Sequence, residues 1–125
     1  MSVKVLVTGS REFYDYQMIY TALDEVYATR PMSGMIVIHG AAKGADTIAD
    51  KWAVTRPDVS VVRVPADWDN DGLKAGPTRN RRMLELTPDV VLAFFQPGAK
   101  NIGTSQMSNM AKNDGFEVRE FHATD

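Results

Sequence analysis

Short apolar runs alternate along this chain with segments in which apolar residues recur at helical spacing. The runs are rich in β-branched and aromatic residues and are apolar on both faces, as in the buried strands of a parallel sheet. They are residues 3–7, 35–38, 59–64, 90–95 and 117–121. The alternation predicts an α/β fold: a single-domain, three-layer sandwich over residues 1–125 with a mostly parallel five-stranded sheet.

The segments between these runs show the i, i+3, i+4 periodicity of amphipathic helices. The expected helices follow Asp15, begin at residue 45, run from Pro77 or Thr78 through Leu86, and begin at Gly103-Thr104. Residues 66–77 show no period, so they are predicted to form a long loop.

The loops after the first four strands carry most of the glycines and polar residues that suit a ligand. In parallel sheets, such loops emerge at one edge, and ligands bind there where the strand order reverses. We therefore expect four loops to converge on one crevice: residues 9–11, 40–46, 76–82 and 98–104. In the first of these loops, Gly9 allows a tight turn, Ser10 offers a hydroxyl and Arg11 offers a fork for phosphate. The alternative is a turn with a solvated arginine.

The second loop, residues 39–46 (HGAAKGAD), has few side chains, so a ligand can approach its backbone. Free N–H groups at a helix start favour an anion, and Lys43 either adds a charge or points into water. Asp46 either complements the helix dipole or accepts a hydrogen bond from a ribose hydroxyl or a ligand amine. His39 is expected to be a hydrogen-bonded structural residue. The small residues of this predicted phosphate cradle are Gly40, Ala41 and Gly44.

The third loop leads from Gly76 into a helix that starts with three arginines, where the helix dipole disfavours cations. We expect Arg79, with the neighbouring Asn80, to face the crevice and Arg81 to lie outside it. Trp68 either stacks on a base or covers the core. The acidic residues near it lack the spacing of an EF-hand, so no metal site is predicted.

The fourth loop contains Gly103 and Thr104, which form a second candidate phosphate cradle before a helix. The alternative is an ordinary loop with a threonine near the helix N-cap.

Composition narrows the class of protein. The chain has no cysteine, which excludes disulfides, thiolate catalysis and cysteine-ligated zinc, and its net charge of −2 argues against a generally basic surface that coats nucleic acid. No apolar run approaches the length of a membrane helix, and no signal peptide is evident. We expect a cytoplasmic protein without membrane contact and without a cofactor.

The loop motifs together resemble the SLOG superfamily, and within it the YspA-like group of small bacterial and phage proteins. They are Thr-Gly-Ser-Arg, His-Gly-Ala-Ala-Lys-Gly-Ala-Asp, Ala-Asp-Trp with Gly-Pro-x-Arg-Asn-x-x-Met, and a late Gly-Thr, between Val3 and Phe121. The resemblance implies a Rossmann-like sheet that binds nucleotides or nucleotide-derived ligands, in a bacterial cell or a phage-infected host. Its relatives include the LOG phosphoribohydrolases and the single-stranded DNA-binding protein DprA, and they are often dimers, so a homodimer is also implied as a possible assembly.

The resemblance to LOG enzymes bears on catalysis. Residues 79–83 match their Arg-Lys-x-x-Met pattern, whose arginine is catalytic, so the resemblance implies a catalytic role for Arg79. LOG enzymes also carry a glutamate that assists departure of the base, and Met107 stands at that position here. Methionine cannot ionise, so the resemblance implies ligand binding more directly than it implies cleavage of the base from a nucleotide. Glu85 or Asp46 could take the place of that glutamate.

Three functions follow as expectations. The first is binding of a nucleotide-derived small molecule, as a sensor or scavenger. The second is an N-glycosidase or phosphoribohydrolase that acts on a nucleoside monophosphate. The third, less favoured because of the negative net charge, is single-stranded nucleic-acid binding through Arg79, Arg81 and Arg82.

Overall fold

A computed structural model of the chain describes residues 1–124; Asp125, the last residue of the predicted domain, lies outside the described residues. Strands and helical segments alternate as predicted. They are β1 (Val3–Gly9), α1 (Tyr16–Tyr27), β2 (Met35–His39), α2 (Ala45–Val54), β3 (Val59–Arg63), α3 (Trp68–Asp71), a 3₁₀ turn (Gly72–Lys74), α4 (Ala75–Leu84), β4 (Val90–Phe95), α5 (Ile102–Asn113) and β5 (Val118–His122). None of these helices is long and apolar enough to cross a membrane.

The five strands form one sheet in the order β3-β2-β1-β4-β5, and every neighbouring pair is parallel. The predicted α/β fold with a Rossmann-like sheet is therefore confirmed, and the sheet is wholly parallel. The chain winds outward from β1 to β3 and then returns to the other side of β1. The strand order thus reverses between β1 and β4, where Val7 lies opposite Leu92.

Helices cover both faces of the sheet, because each strand presents apolar side chains in both directions. On one face, α1 and α2 pack against the sheet, with Leu23 and Trp52 in the core. On the other face, α4 and α5 pack against it, with Met83 and Met107 in a second, smaller core. Fully burying a large apolar side chain stabilises a fold by about 1.5–3 kcal/mol, so these two cores hold the three layers together.

The prediction of a long loop at residues 66–77 is wrong, because most of this segment is helical. The Asp67 side chain caps α3 by accepting a hydrogen bond from the Asn70 backbone N–H at 3.2 Å, and it also accepts one from the Asn70 side chain. Pro77 lies in the first turn of α4, where its missing N–H costs nothing, so that helix begins earlier than expected. Polar residues dominate the segment, so its sequence has no apolar periodicity that would indicate a helix.

Other element boundaries differ by one or two residues. The Asp15 side chain caps α1 by accepting from the Met18 N–H, as expected. Strand β1 extends to Gly9 and β2 to His39, β3 ends at Arg63, α5 begins at Ile102, and β5 occupies 118–122.

Gly9 sets the distance between β1 and the start of α2. A Cβ at this position would overlap the Cβ of Ala45, which is itself completely buried. Only glycine lets the first turn of α2 lie directly against the end of the central strand. This close approach brings the loop after β2 to the edge where β1 ends.

We predict that Gly9→Ala lowers the free energy of unfolding by about 1–3 kcal/mol, because the added methyl group must push α2 away from β1. In thermal denaturation the midpoint should fall by roughly 4 °C or more. Gly103→Ala is the matched control, because a Cβ there meets no atom within 4 Å and alanine favours a helix. Equal melting temperatures for Gly9→Ala and the wild type would contradict the close approach.

Candidate functional site

A crevice of about 820 Å³ opens at the carboxyl edge of the sheet, where the strand order reverses between β1 and β4. Its size is that of a small-molecule site, and its position is the one at which open parallel sheets bind ligands. Three parts of the chain form its walls: residues 8–12 after β1, the helical segment from Trp68 to Met83, and residues 98–106 at the start of α5. The loop after β2 contributes only Ala42 and Asp46.

Most of the residues singled out in the sequence lie on these walls. Those that line the crevice are Gly9, Ser10, Arg11, Asp46, Trp68, Gly76, Arg79, Asn80, Gly103 and Thr104. Those that do not line it are Gly40, Ala41, Lys43 and Gly44. The Lys43 side chain is exposed to solvent.

The N–H groups of the loop after β2 are already occupied by the protein. The Asp46 carboxylate oxygen Oδ2 accepts hydrogen bonds from the Gly40 N–H at 3.0 Å and the Ala42 N–H at 3.3 Å. The Ala41 N–H donates to His39 Nδ1 at 2.9 Å. A phosphate cannot take these three donors without displacing side chains. The expected cradle is in fact a turn that wraps around Asp46.

His39 has the structural role expected of it. Its ring is almost completely buried, and because Nδ1 accepts from Ala41, Nε2 carries the proton and donates to Asp50 at 2.6 Å. Arg63 in turn donates two hydrogen bonds to Asp50. This chain of contacts fixes the end of β2 and, with it, the turn that holds Asp46.

Asp46 is the most unusual residue of the crevice. It is only 5% exposed, and within residues 1–124 its oxygen Oδ1 has no hydrogen-bond partner. Burial raises the pKa of this carboxyl from 3.8 to about 6, although nearby His39, Arg79 and the two backbone N–H groups act in the opposite direction. A buried carboxylate with a free oxygen costs stability, so the fold tolerates an unfavourable group here.

Arg79 reaches the same turn from α4. Its Nη1 donates to the Gly40 carbonyl at 2.7 Å, and a Cβ on Gly40 would overlap the guanidinium, so glycine is needed for this contact. Gly40 therefore accepts from Arg79 and donates to Asp46, which places the two charged side chains on either side of one residue. Burial lowers the pKa of Arg79 from its ordinary value, while the charge of Asp46 opposes that shift.

A hydrogen-bonded chain continues from Arg79 across the crevice. Arg79 Nε donates to Asn80 Oδ1 at 2.9 Å, and Asn80 Nδ2 donates to Gln106 Oε1 at 2.8 Å. Asn80 is almost fully buried, so it acts as a fixed link between α4 and α5. The orientation of the guanidinium thus depends on both walls.

The start of α5 is open towards the crevice. Asn101 occupies the N-cap position, yet its side chain bonds to Gln96 and Ala99 in the preceding loop instead of capping the helix. The first N–H groups of a helix have no intrahelical acceptor, so those of Ile102, Gly103 and Thr104 have no partner within α5. Gly103 and Thr104 lie inside the first turn of α5, just after the N-cap residue Asn101, and not in the loop before the helix.

Apolar side chains and the Arg11 guanidinium lie at the mouth of the crevice. Trp68 is 51% exposed, so it does not simply cover the core, and the Arg11 guanidinium carbon lies 5.9 Å from the centre of its ring. Leu73 and Ile102 are also largely exposed on the rim. Sequence reasoning missed both rim residues and Gln106. Two signals were available in the sequence. Leu73 is a leucine in a polar stretch, and Gln106 follows Gly103 by three residues on the same helix face.

The three arginines of α4 do not form one surface. Arg79 lines the crevice, whereas Arg81 lies outside it, as expected, and pairs with Asp114 at 2.5 Å. Arg82 is exposed and does not line the crevice. Each arginine therefore has a separate environment.

The fold and the crevice together define a class: a Rossmann-like α/β domain with a ligand-sized crevice at the strand-order reversal. A model of the YspA, cpYpsA-related SLOG family matches residues 3–70, and the chain belongs to that family. The chain is also similar to the Gene 61 protein of Mycobacterium phage D29, with 39% identity over 123 residues, which cover 94% of this chain and 95% of that protein. No solved structure is significantly similar to the chain.

We predict that the stability of the protein depends on pH through Asp46. The folded protein binds the proton of the Asp46 carboxyl more tightly than the unfolded chain does. The stability that this protonated carboxyl contributes is therefore fully present below about pH 4 and is lost as the pH rises through about 6. The Asp46→Asn variant has no carboxyl to ionise at this position, so it does not lose this stability as the pH rises. It should be more stable than the wild type at neutral pH, by up to about 3 kcal/mol. Urea unfolding across this pH range measures the difference.

Asp58→Asn is the control with the opposite sign. Its hydrogen bond with Arg30 lowers the pKa of Asp58, so loss of this carboxylate should reduce stability at neutral pH. A wild type that is more stable than Asp46→Asn at neutral pH would show that the contacts of the carboxylate outweigh its burial.

Proposed function

We propose that the crevice binds a nucleotide or nucleotide-derived ligand, with the protein acting as a sensor or scavenger. The observation that carries the proposal is that one cavity combines the Arg79 guanidinium, the uncapped start of α5 and the exposed ring of Trp68. A nucleotide needs an anion site and an aromatic platform within one molecule's length. Membership of the SLOG family supports this class of ligand.

The phosphate is held between α4 and α5 in this proposal. Arg79 uses Nε and one Nη1 hydrogen in contacts with the protein, and its Nη2 makes no hydrogen bond to residues 1–124. Arg79 and residues 102–104 line the same cavity, so the proposal assigns the phosphate to the remaining donors of Arg79 and to the first N–H groups of α5. Lys100 on the crevice wall adds a further positive charge. A guanidinium and a helix start together form an effective phosphate site.

The base then lies at the mouth, against Trp68. Stacking of a base on an aromatic side chain is worth about 1–3 kcal/mol in nucleic-acid-binding proteins, and it requires an exposed ring face. Trp68 offers such a face, with Arg11 beside it and Leu73 on the same rim. The indole ring and the leucine side chain are apolar, so they favour a base without selecting one strongly.

We predict that a nucleoside monophosphate such as AMP or GMP stabilises the wild type and that Arg79→Ala raises its Kd by tenfold or more. Loss of a charge-assisted contact of about 1.5–3 kcal/mol has this effect. At a hundredfold excess over Kd, ligand binding stabilises the fold by about 2.7 kcal/mol, which is several degrees in the melting temperature. Titration calorimetry and thermal denaturation measure the two quantities.

Arg81→Ala is the matched control for this experiment. It removes an arginine from the same helix, but one that pairs with Asp114 outside the crevice, so the Kd should not change. If none of a panel of nucleoside mono- and diphosphates and dinucleotides binds, the proposal fails.

A second function, hydrolysis of the N-glycosidic bond, is favoured by one observation. The position that carries the catalytic glutamate in LOG enzymes is Met107, which is completely buried in the core and does not line the crevice. Asp46 does line it, beside Arg79, and a buried carboxylate with a perturbed pKa in a cleft is typical of a catalytic group. In the reaction, water adds its oxygen to C1′ of the ribose, the bond from C1′ to the base breaks, and the base leaves with a proton.

We predict for this second function that prolonged incubation of the wild type with a nucleoside monophosphate releases free base, and that Asp46→Asn abolishes the release. Chromatographic separation of base and nucleotide measures it. Intact nucleotide after saturating binding would leave the protein as a binder and would exclude hydrolysis of that substrate.

A further inference from the structure

We infer that the crevice recognises the ribose of its ligand through Asp46, so that ribonucleotides bind more tightly than the corresponding deoxyribonucleotides. The inference rests on the proposed nucleotide ligand and goes beyond it by naming the sugar and the residue that reads it.

The first step is the geometry of the carboxylate. Oδ2 is held by two backbone N–H groups of one turn, which fixes the side chain and leaves Oδ1 as the free oxygen. That oxygen is buried and has no partner within residues 1–124, although the residue lines the crevice. Buried polar atoms are nearly always hydrogen-bonded, so an orphaned one on a crevice wall indicates a partner that a ligand supplies.

The second step is the chemistry of that partner. A carboxylate only accepts hydrogen bonds, so the ligand must present a donor. A phosphate or carboxylate of the ligand would be repelled at this position. The remaining donors of a nucleotide are the ribose hydroxyls and the amine groups of the base.

The position of Asp46 relative to Arg79 and Trp68 selects between these two kinds of donor. Gly40 is hydrogen-bonded to both Asp46 and Arg79, so the carboxylate lies next to the guanidinium that is proposed to hold the phosphate. In a nucleotide the group next to the phosphate is the ribose, and the base lies farther away. Trp68, the proposed platform for the base, is on the rim. The donor that reaches Asp46 is therefore a ribose hydroxyl.

The expected loss of affinity for a deoxy analogue follows from the state of Asp46 when the ribose hydroxyl is absent. Without the hydroxyl, the carboxylate oxygen stays buried and unpartnered in the complex. Sites built to hydrogen-bond a ligand hydroxyl reject the analogue that lacks it strongly, so a weakening of about 10- to 100-fold is expected here.

The experiment is titration calorimetry with AMP, 2′-deoxy-AMP, 3′-deoxy-AMP and inosine monophosphate. Against the wild type, removal of at least one hydroxyl should raise the Kd by about tenfold or more, while inosine monophosphate should bind like AMP. Against Asp46→Asn, the ratio between the ribo and deoxy forms should fall by about tenfold, because a charge-assisted hydrogen bond is lost. The comparison of ligands on the wild type needs no variant, so it stands even if Asp46→Asn is poorly folded.

Glu12→Gln is the matched control, because it removes a carboxylate that also lines the crevice but is exposed. It should strengthen binding of every phosphate ligand and leave the ribo-to-deoxy ratio as in the wild type. A ratio that falls equally in both variants would assign the effect to net charge and overturn the inference.

The remaining outcomes separate this inference from the function on which it rests. Equal, tight binding of AMP and both deoxy forms would overturn the role of Asp46 alone. Weakened binding of inosine monophosphate with unchanged deoxy forms would assign the carboxylate to the base and also overturn it. Absence of binding by all four ligands and by the wider nucleotide panel would overturn the proposed function itself.

Discussion

The candidate site depends on a single residue without a side chain. Gly40 donates its N–H to Asp46 and accepts a hydrogen bond from Arg79, and its missing Cβ is the space that the guanidinium occupies. A negative and a positive group are thereby held close together without forming a direct ion pair with each other. Each keeps unused hydrogen-bonding capacity, which a direct salt bridge would have consumed.

The parts of the fold that could be predicted are those in which one local pattern decides the outcome. Short apolar runs such as Val90–Phe95 favour a buried strand, and their alternation with amphipathic helices favours a parallel sheet. The segment after Asp67 was mispredicted because its helix is short and polar, and its stability comes from a cap and from α4 packed beside it. Convergence of the segments that follow β1, β3 and β4 at one edge of the sheet followed from the topology alone.

The details of the site could not be predicted, because they depend on side-chain orientations that tertiary contacts decide. In the sequence, residues 40–44 resemble a phosphate cradle, and only the rotamer of Asp46 shows that their N–H groups are occupied. In the same way, nothing in the sequence around Asn101 indicates that its side chain turns back to Gln96 and leaves α5 uncapped. The first side-chain orientation occupies the N–H groups of the loop after β2, and the second leaves the start of α5 without a side-chain cap.

The reversal of strand order has a mechanical consequence for any molecule in the crevice. The segment that carries Asp46 opens α2, which packs on one face of the sheet, whereas α4 and α5 pack on the opposite face. A bound molecule that touches both walls would act as a cross-link between the two helical layers. Its occupancy would then resist movement of one layer relative to the other at this edge of the sheet.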